Sequence, residues 1–183
     1  IFIYHFVKKK CKYCDFLSGP STADERESYV KSLCQDIRSY AHLAKACRVI
    51  SIFVGGGTPS TLTAFQMQQI FSAVRDTFVV EENAEITIEA NPGTLVGKKL
   101  PVYKKCGINR VSFGLQSADN EELKNLGRIH SFEEFLKSFQ SARMAGFTNI
   151  SIDLMSGIPG QTLESWKSHY VKAGTYLRLQ SDH

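Results

Sequence analysis

The feature that most constrains this chain is an alternation. Short runs rich in β-branched and aromatic residues, IFIY (1–4), VISIFV (49–54), EITIE (85–89), RVSFG (110–114) and ISIDLM (150–155), are separated by longer segments whose apolar residues recur every three or four positions. Strands separated by helices cannot be joined as hairpins; each helix returns the chain to the same end of the sheet, so the strands run parallel. The expectation is an α/β fold of five β/α units. With 43% apolar residues in 183, the chain can bury one sizeable core, and no linker rich in Gly, Pro and Ser divides it. One domain over residues 1–183 is expected.

The helices carry their own start signals. Thr22 with Glu25, Thr63 with Gln66 and Ser131 with Glu134 each read as a capping box, in which the hydroxyl and the acid or amide three residues on satisfy each other's backbone donors. Tyr29, Leu33, Ile37, Tyr40 and Ala44 form one expected apolar stripe. Phe65, Ile70, Val74 and Phe78 form a second, and Phe132, Phe135, Leu136 and Phe139 a third, with Gly146 as its C-terminal stop. Two segments fit the rhythm badly. Pro101 falls inside a helix expected between Thr94 and Cys106, where an interior proline costs about 3 kcal/mol, and Gly97 weakens the same stretch. At the other misfit, LQSDH (179–183), a sixth strand is due just as the chain stops; five parallel strands can make an open sheet, whereas an arc of a barrel would leave an unpaired edge there, and a fragment is expected.

Charge and cysteine content narrow the function. There is no run of about 18 apolar residues, and IFIYHFV lacks a small-residue cleavage site, so a soluble, cytosolic protein with no transmembrane segment is expected. Five cysteines without a secretory signal point to reduced thiols with a chemical or packing role. The net charge is only +4, and Lys8, Lys9, Lys10 and Lys12 read as a solvated turn, so no nucleic-acid partner is expected.

In parallel β/α folds the loops at the carboxyl ends of the strands converge on one opening. Those ends read CKYC, GGGTP, EANPG, GLQS and DLMSGIPG. The three glycines at 55–57 let backbone groups approach a ligand or simply make a tight turn. Glu89, Gln116 and Asp153 each end an apolar strand with a polar side chain, suited either to a ligand or to a neighbouring loop. Arg128 in GRIH could offer a fork to a carboxylate or lie on the surface. His130 reads as structural, because no second histidine or acid stands at ligand spacing.

Together these five stretches, in this order, resemble the radical S-adenosylmethionine family, and within it the branch of oxygen-independent coproporphyrinogen III oxidases and their haem-chaperone relatives. The resemblance spans essentially the whole chain. It implies a partial (β/α)6 TIM-like barrel, a [4Fe–4S] cluster, S-adenosylmethionine and haem or porphyrin. An electron donor and a haem-accepting protein are further implied partners. In the oxidase the cysteine motif continues to another cysteine two residues on, and the arginine has a glutamine-containing context. Here Asp15 and Phe16 follow Cys14, and Arg128 sits in LGRIHS, as in the chaperones.

The resemblance also assigns residues. Cys11 and Cys14 match two of the three thiolates that hold the cluster; thiolates suit iron because they are soft, anionic donors. Tyr13 is implied at the adenine end of S-adenosylmethionine, Gly56, Gly57 and Thr58 at its methionine moiety, and Glu89, Gln116, Arg128 and Asp153 at further positions around it. No residue is assigned a catalytic role. The C-x-x-x-C-x-x-C pattern fails at its first place, which Val7 occupies, so cluster chemistry is expected to be impaired. Three alternatives stay open: the chaperone, the oxidase that decarboxylates propionate side chains, and a thiol–disulfide protein using Cys11 and Cys14. A zinc module lacks the ligands.

Overall fold

A computed structural model describes residues 1–44, 47–95 and 97–178. Five strands form one parallel sheet in sequence order: β1 (Phe2–Tyr4), β2 (Arg48–Gly56), β3 (Val79–Ala90), β4 (Arg110–Gln116) and β5 (Asn149–Leu154). The main helices are α1 (Ala23–Ser39), α2 (Ala41–Ala44), α3 (Ala64–Thr77), α4 (Lys99–Lys105), α5 (Asn120–Asn125), α6 (Phe132–Met144) and α7 (Leu163–Arg178). Strand order equal to chain order, with a helix between every pair, is the arc of a β/α barrel. The expected fold class is observed. LQSDH, where a sixth strand was expected, lies outside the described residues.

The two faces of the sheet differ. Ile52, Val54, Ile86, Ile88, Val111, Phe113, Leu115 and Ile150 point to the helices and are buried with Met67, Ile70, Phe71, Phe135 and Phe139 in one core. The other face is polar. Arg110 donates to Thr87 and Ser151, Ser151 to Ser112, and Ser112 to Asp153. Residues two apart share a face of a strand, so this single alternation commits Glu89, Ser112, Gly114 and Asp153 to the polar side.

All three capping boxes form, with the hydroxyls of Thr22, Thr63 and Ser131 accepting from the backbone of Glu25, Gln66 and Glu134. Gly146 ends α6 with φ of +87°. Its N–H donates to Arg143 and that of Phe147 to Ala142, which closes the helix in a Schellman arrangement. The stripes are partly rotated from expectation. In α1 the buried positions are Val30, Cys34 and Ile37; Tyr40 is the exposed C-cap and Ala44 belongs to α2. In α3 Phe65 is 65% exposed while Met67 and Phe71 are buried, because the helix packs on both the sheet and α1.

Pro101 breaks nothing. The helix starts only at Lys99, after Gly97 at φ +61°, so proline falls in the first turn, where its missing N–H had no helical partner. Short α5 is an element the apolar periodicity missed. It is nucleated by Asp119, whose Oδ1 accepts from the N–H groups of Glu121 and Glu122. β3 begins at Val79, six residues before EITIE, and pairs with β2 across a register shift between Val49 and Ser51.

Phe135 is fully buried and meets Phe113 edge-on, with ring centroids 6.1 Å apart. Phe135→Ala is expected to cost about 3–5 kcal/mol, and Phe65→Ala under about 1 kcal/mol. Urea unfolding of both variants, with an unchanged denaturant slope, checks the difference.

Candidate functional site

The carboxyl ends of the strands surround a cavity of about 250 Å³. Cys11, Tyr13, Cys14, Gly56, Gly57, Thr58, Glu89, Gln116, Arg128 and Asp153 all line it. The ten positions that the resemblance assigns are thus brought to one place, from segments as far apart in the chain as Cys11 and Asp153. Val7, Asn91, Ser112 and Gly114 join them.

Arg128 organises the cavity. Nη2 donates to the Gly114 carbonyl at 2.6 Å and to Asn91 Oδ1 at 2.7 Å; Nη1 reaches Tyr13 Oη at 3.3 Å and Cys11 Sγ at 3.6 Å. Its Nε is buried without a partner. A Cβ at position 114 would come within 2.9 Å of Gln116 Nε2, so glycine there leaves room for that amide, while Arg128 Nη2 at 3.6 Å would be in ordinary contact. Asn91 extends the link, donating to Thr58 Oγ1 at 3.1 Å.

The triple glycine has a packing reason in addition to any ligand. A Cβ at Gly57 would lie 2.6 Å from the Phe6 carbonyl. The N–H groups of Gly57 and Thr58 donate to the carbonyls of Tyr4 and Phe6, and that of Gly56 to Glu89 Oε2 at 2.8 Å. The first two bonds tie the end of β2 to β1 and to the start of the cysteine loop, and the third ties it to β3.

Electrostatically, two carboxylates face one guanidinium. Burial pushes the Glu89 carboxyl above its ordinary range; the Gly56 N–H opposes this and the charge of Asp153 adds to it. The Tyr13 phenol is likewise raised, chiefly by burial, with Arg128 opposing. Gln116 has φ of +71° and is the only non-glycine residue at positive φ among the described residues, a conformation costing on the order of 1 kcal/mol. It sits where the β4–β5 register shifts, between Gly114 and Gln116. A cavity with a guanidinium fork, two acids and polar amides is suited to a small zwitterion bearing a carboxylate, an ammonium and hydroxyls.

Residues 2–173 match the family model described as the Radical SAM superfamily. The chain belongs to that superfamily. Within it, the chain is similar to proteins of the HemN/HemW branch. It is 40% identical over 157 residues to the "Heme chaperone HemW" of Escherichia coli, covering 85% of this chain and 42% of the relative. The Bacillus subtilis protein of that name is 34% identical over 179 residues, covering 97% and 46%. A mouse protein, "Radical S-adenosyl methionine domain-containing protein 1, mitochondrial", is 35% identical over 161 residues, covering 88% and 36%. The chain thus spans less than half the length of these relatives. Among solved structures, the radical SAM enzyme coproporphyrinogen III oxidase (HemN) of Escherichia coli superposes with a TM-score of 0.88 at 28% identity, over 95% of this chain and 40% of that one.

The superfamily implies a [4Fe–4S] cluster and S-adenosylmethionine. The second fits the residues: Arg128 has an orphaned buried nitrogen, and Glu89 and Asp153 offer acceptors. The cluster does not fit three thiolates. Val7 lines the cavity beside Cys11 and Cys14, with its N–H bonded to the Gly19 carbonyl at 3.0 Å. Cys34 and Cys106 are buried in or beside helices and Cys47 precedes β2. Among the described residues no group of three or more His, Cys, Asp or Glu is placed to hold a metal ion. No helix among them is long and apolar enough to cross a membrane.

A larger groove of about 740 Å³ lies between α1 and the first two strands, lined by Phe2, Tyr29, Leu33, Ile37, Val49 and Phe78 among others. It is apolar, carries no cysteine and lies on the helix side of the sheet.

His130, two residues from Arg128, is 6% exposed and neither ring nitrogen has a hydrogen-bond partner. Burial first, and the Arg128 charge second, push its pKa down to about 4; a backbone contact from Leu115 opposes this without satisfying the ring. The unfolded chain binds the proton more readily, so stability is full above about pH 6.5 and is lost as pH falls toward 4. Between pH 7 and 5 the loss from this residue should be about 2 kcal/mol. In His130→Met, followed by denaturant titration at both pH values, the pH-dependent loss should shrink by that amount.

Proposed function

We propose that this chain is the core domain, over residues 1–183, of a haem chaperone-like protein that binds S-adenosylmethionine and haem. The observation that carries the reading is the convergence of five strand ends on one cavity that holds Arg128, Glu89 and Asp153 together. Arg128 would receive the carboxylate of S-adenosylmethionine, exchanging bonds now made to Tyr13 and Cys11. Glu89, raised by burial, and Asp153 would take its ammonium and ribose hydroxyls. Tyr13, 39% exposed, would cover the adenine. Gly56, Gly57, Thr58 and Gln116 would fix the remaining backbone and amide contacts.

Where a radical SAM protein holds its cluster, the metal supplies the electron that splits the sulfonium. Here Val7 offers no donor, so this chain is proposed to bind S-adenosylmethionine without cleaving it. Similarity to HemW at up to 40% identity, against 28% to HemN, favours the chaperone over the oxidase as the bound porphyrin's handler. The oxidase reading predicts product from coproporphyrinogen III under anaerobic reduction. A thiol–disulfide role would leave four of the five strand-end motifs unused. Haem and a haem-accepting protein are the proposed partners, and the cytoplasm, where five free thiols remain reduced, the proposed location.

Anaerobic reconstitution with iron and sulfide tests the assignment. Val7→Cys should hold about four irons per chain and give a reduced-cluster EPR signal that shifts with S-adenosylmethionine, while the parent should not. Calorimetry should show S-adenosylmethionine binding by the parent, weakened at least ~10-fold, or about 1.4 kcal/mol, in Asp153→Asn. Absence of binding by the parent overturns the reading.

A further inference from the structure

The cavity wall formed by β4 and β5 is held from behind by residues that do not line it. Gln116, in its left-handed conformation, is followed by Ser117, which is completely buried. Ser117 Oγ donates to Glu122 Oε2 at 2.7 Å and accepts from the Asp119 N–H at 2.9 Å. The same carboxylate takes Gln161 Nε2 at 3.0 Å and Ser165 Oγ at 2.9 Å, with His169 Nδ1 3.4 Å away. His169 is 3% exposed, and its ring nitrogens lie 3.4 and 3.3 Å from the hydroxyls of Ser117 and Ser165.

We infer that Glu122 is the positioning residue of the cavity: its carboxylate clamps the Gln116 turn to the loop that follows β5. The two sides are otherwise joined thinly. The Met155 N–H donates to the Gln116 carbonyl at 2.8 Å, and Gln161 reaches back through Oε1 to the Gly157 N–H at 2.9 Å. Glu122 therefore closes a circuit that runs from Gln116 through Ser117 to Gln161, Gly157 and back to Met155. Ser165 and His169 seat the first turns of α7 on the same carboxylate.

The physical need is specific. A non-glycine residue stays at positive φ only when its surroundings over-determine it. A largely buried carboxylate with several donors over-determines the turn, because every donor must find a new acceptor if the turn relaxes. Gln116 lines the cavity directly, and Asp153 does so from the paired strand, where Gly114 is its register partner. Loosening the clamp displaces both without removing any group that touches a ligand.

The consequence for S-adenosylmethionine rests on the function proposed above, but the clamp itself can be read without ligand. Amide hydrogen exchange of residues 115–118 and 155–161 should be at least tenfold faster in Glu122→Ala than in the parent. Phe71→Leu, a core change in α3 away from the cavity, serves as a control lowering Tm comparably; it should leave those amides within about twofold. Glu122→Gln, which keeps the volume but presents one acceptor oxygen where two are used, should fall between. If Glu122→Ala does not fold, Ser117→Ala should show the same pattern at smaller amplitude.

With S-adenosylmethionine, Glu122→Ala should bind about tenfold more weakly and Phe71→Leu as the parent does. Unchanged exchange at 115–118 and 155–161, or equal acceleration in Phe71→Leu, overturns the clamp. Faster exchange in Glu122→Ala with no S-adenosylmethionine binding by the parent upholds the clamp and overturns the ligand instead.

Discussion

The structure depends on burying one face of a parallel sheet beneath helices. Each of the five strands has an apolar side that must leave water, and α1, α3, α4 and α6 cover it. Crossover helices all return the chain to the same edge, so every strand runs in one direction and every carboxyl end reaches one rim. The functional cavity is a by-product of that constraint. Residues from the β1 loop, β2, β3, β4 and β5 meet there because the core leaves their loops no other place.

Once the loops meet, the rim needs polar cohesion, since its backbone groups are out of any ladder. Arg128 provides it on one side, with bonds to Gly114, Asn91, Tyr13 and the Cys11 thiol. Glu122 provides it on the other, below Gln116. Between these two anchors lie Glu89 and Asp153. Arg128, Glu89 and Asp153 line the same cavity, a charge distribution suited to a zwitterion.

Within this frame the position of Val7 has a definite meaning. It occupies the rim beside Cys11 and Cys14, on a loop whose start is tied to the end of β2 by the Thr58 N–H on the Phe6 carbonyl, next to the Gly57 N–H on Tyr4 of β1. The loop keeps its shape from these bonds and from Arg128, with Val7, Cys11, Cys14 and Phe16 among the residues that line the opening. Under the function proposed above, the pocket for an organic cofactor and the ligand set for a metal are separable features of one fold. The first depends on strand ends, and the second on a single side chain.

The sequence by itself determined the strands, the parallel topology and the starts of α1, α3 and α6, because each follows from local periodicity or from a capping pair separated by three residues. Glu89, Gln116, Asp153 and the glycines at 55–57 also stood out, as polar residues or glycines closing apolar strands, whereas Cys11, Tyr13, Cys14, Thr58 and Arg128 took their places at the cavity from the resemblance. Only the tertiary structure decided the rest. Pro101 was harmless because the helix began later than periodicity implied, and Phe65 was exposed because α3 packs on two surfaces at once. Asn91, Ser112 and Glu122 took their roles from partners more than 30 residues away or on other elements, or from neighbours buried only after folding. Such roles have no local signature, because a hydrogen bond between distant segments exists only once the core has brought those segments together.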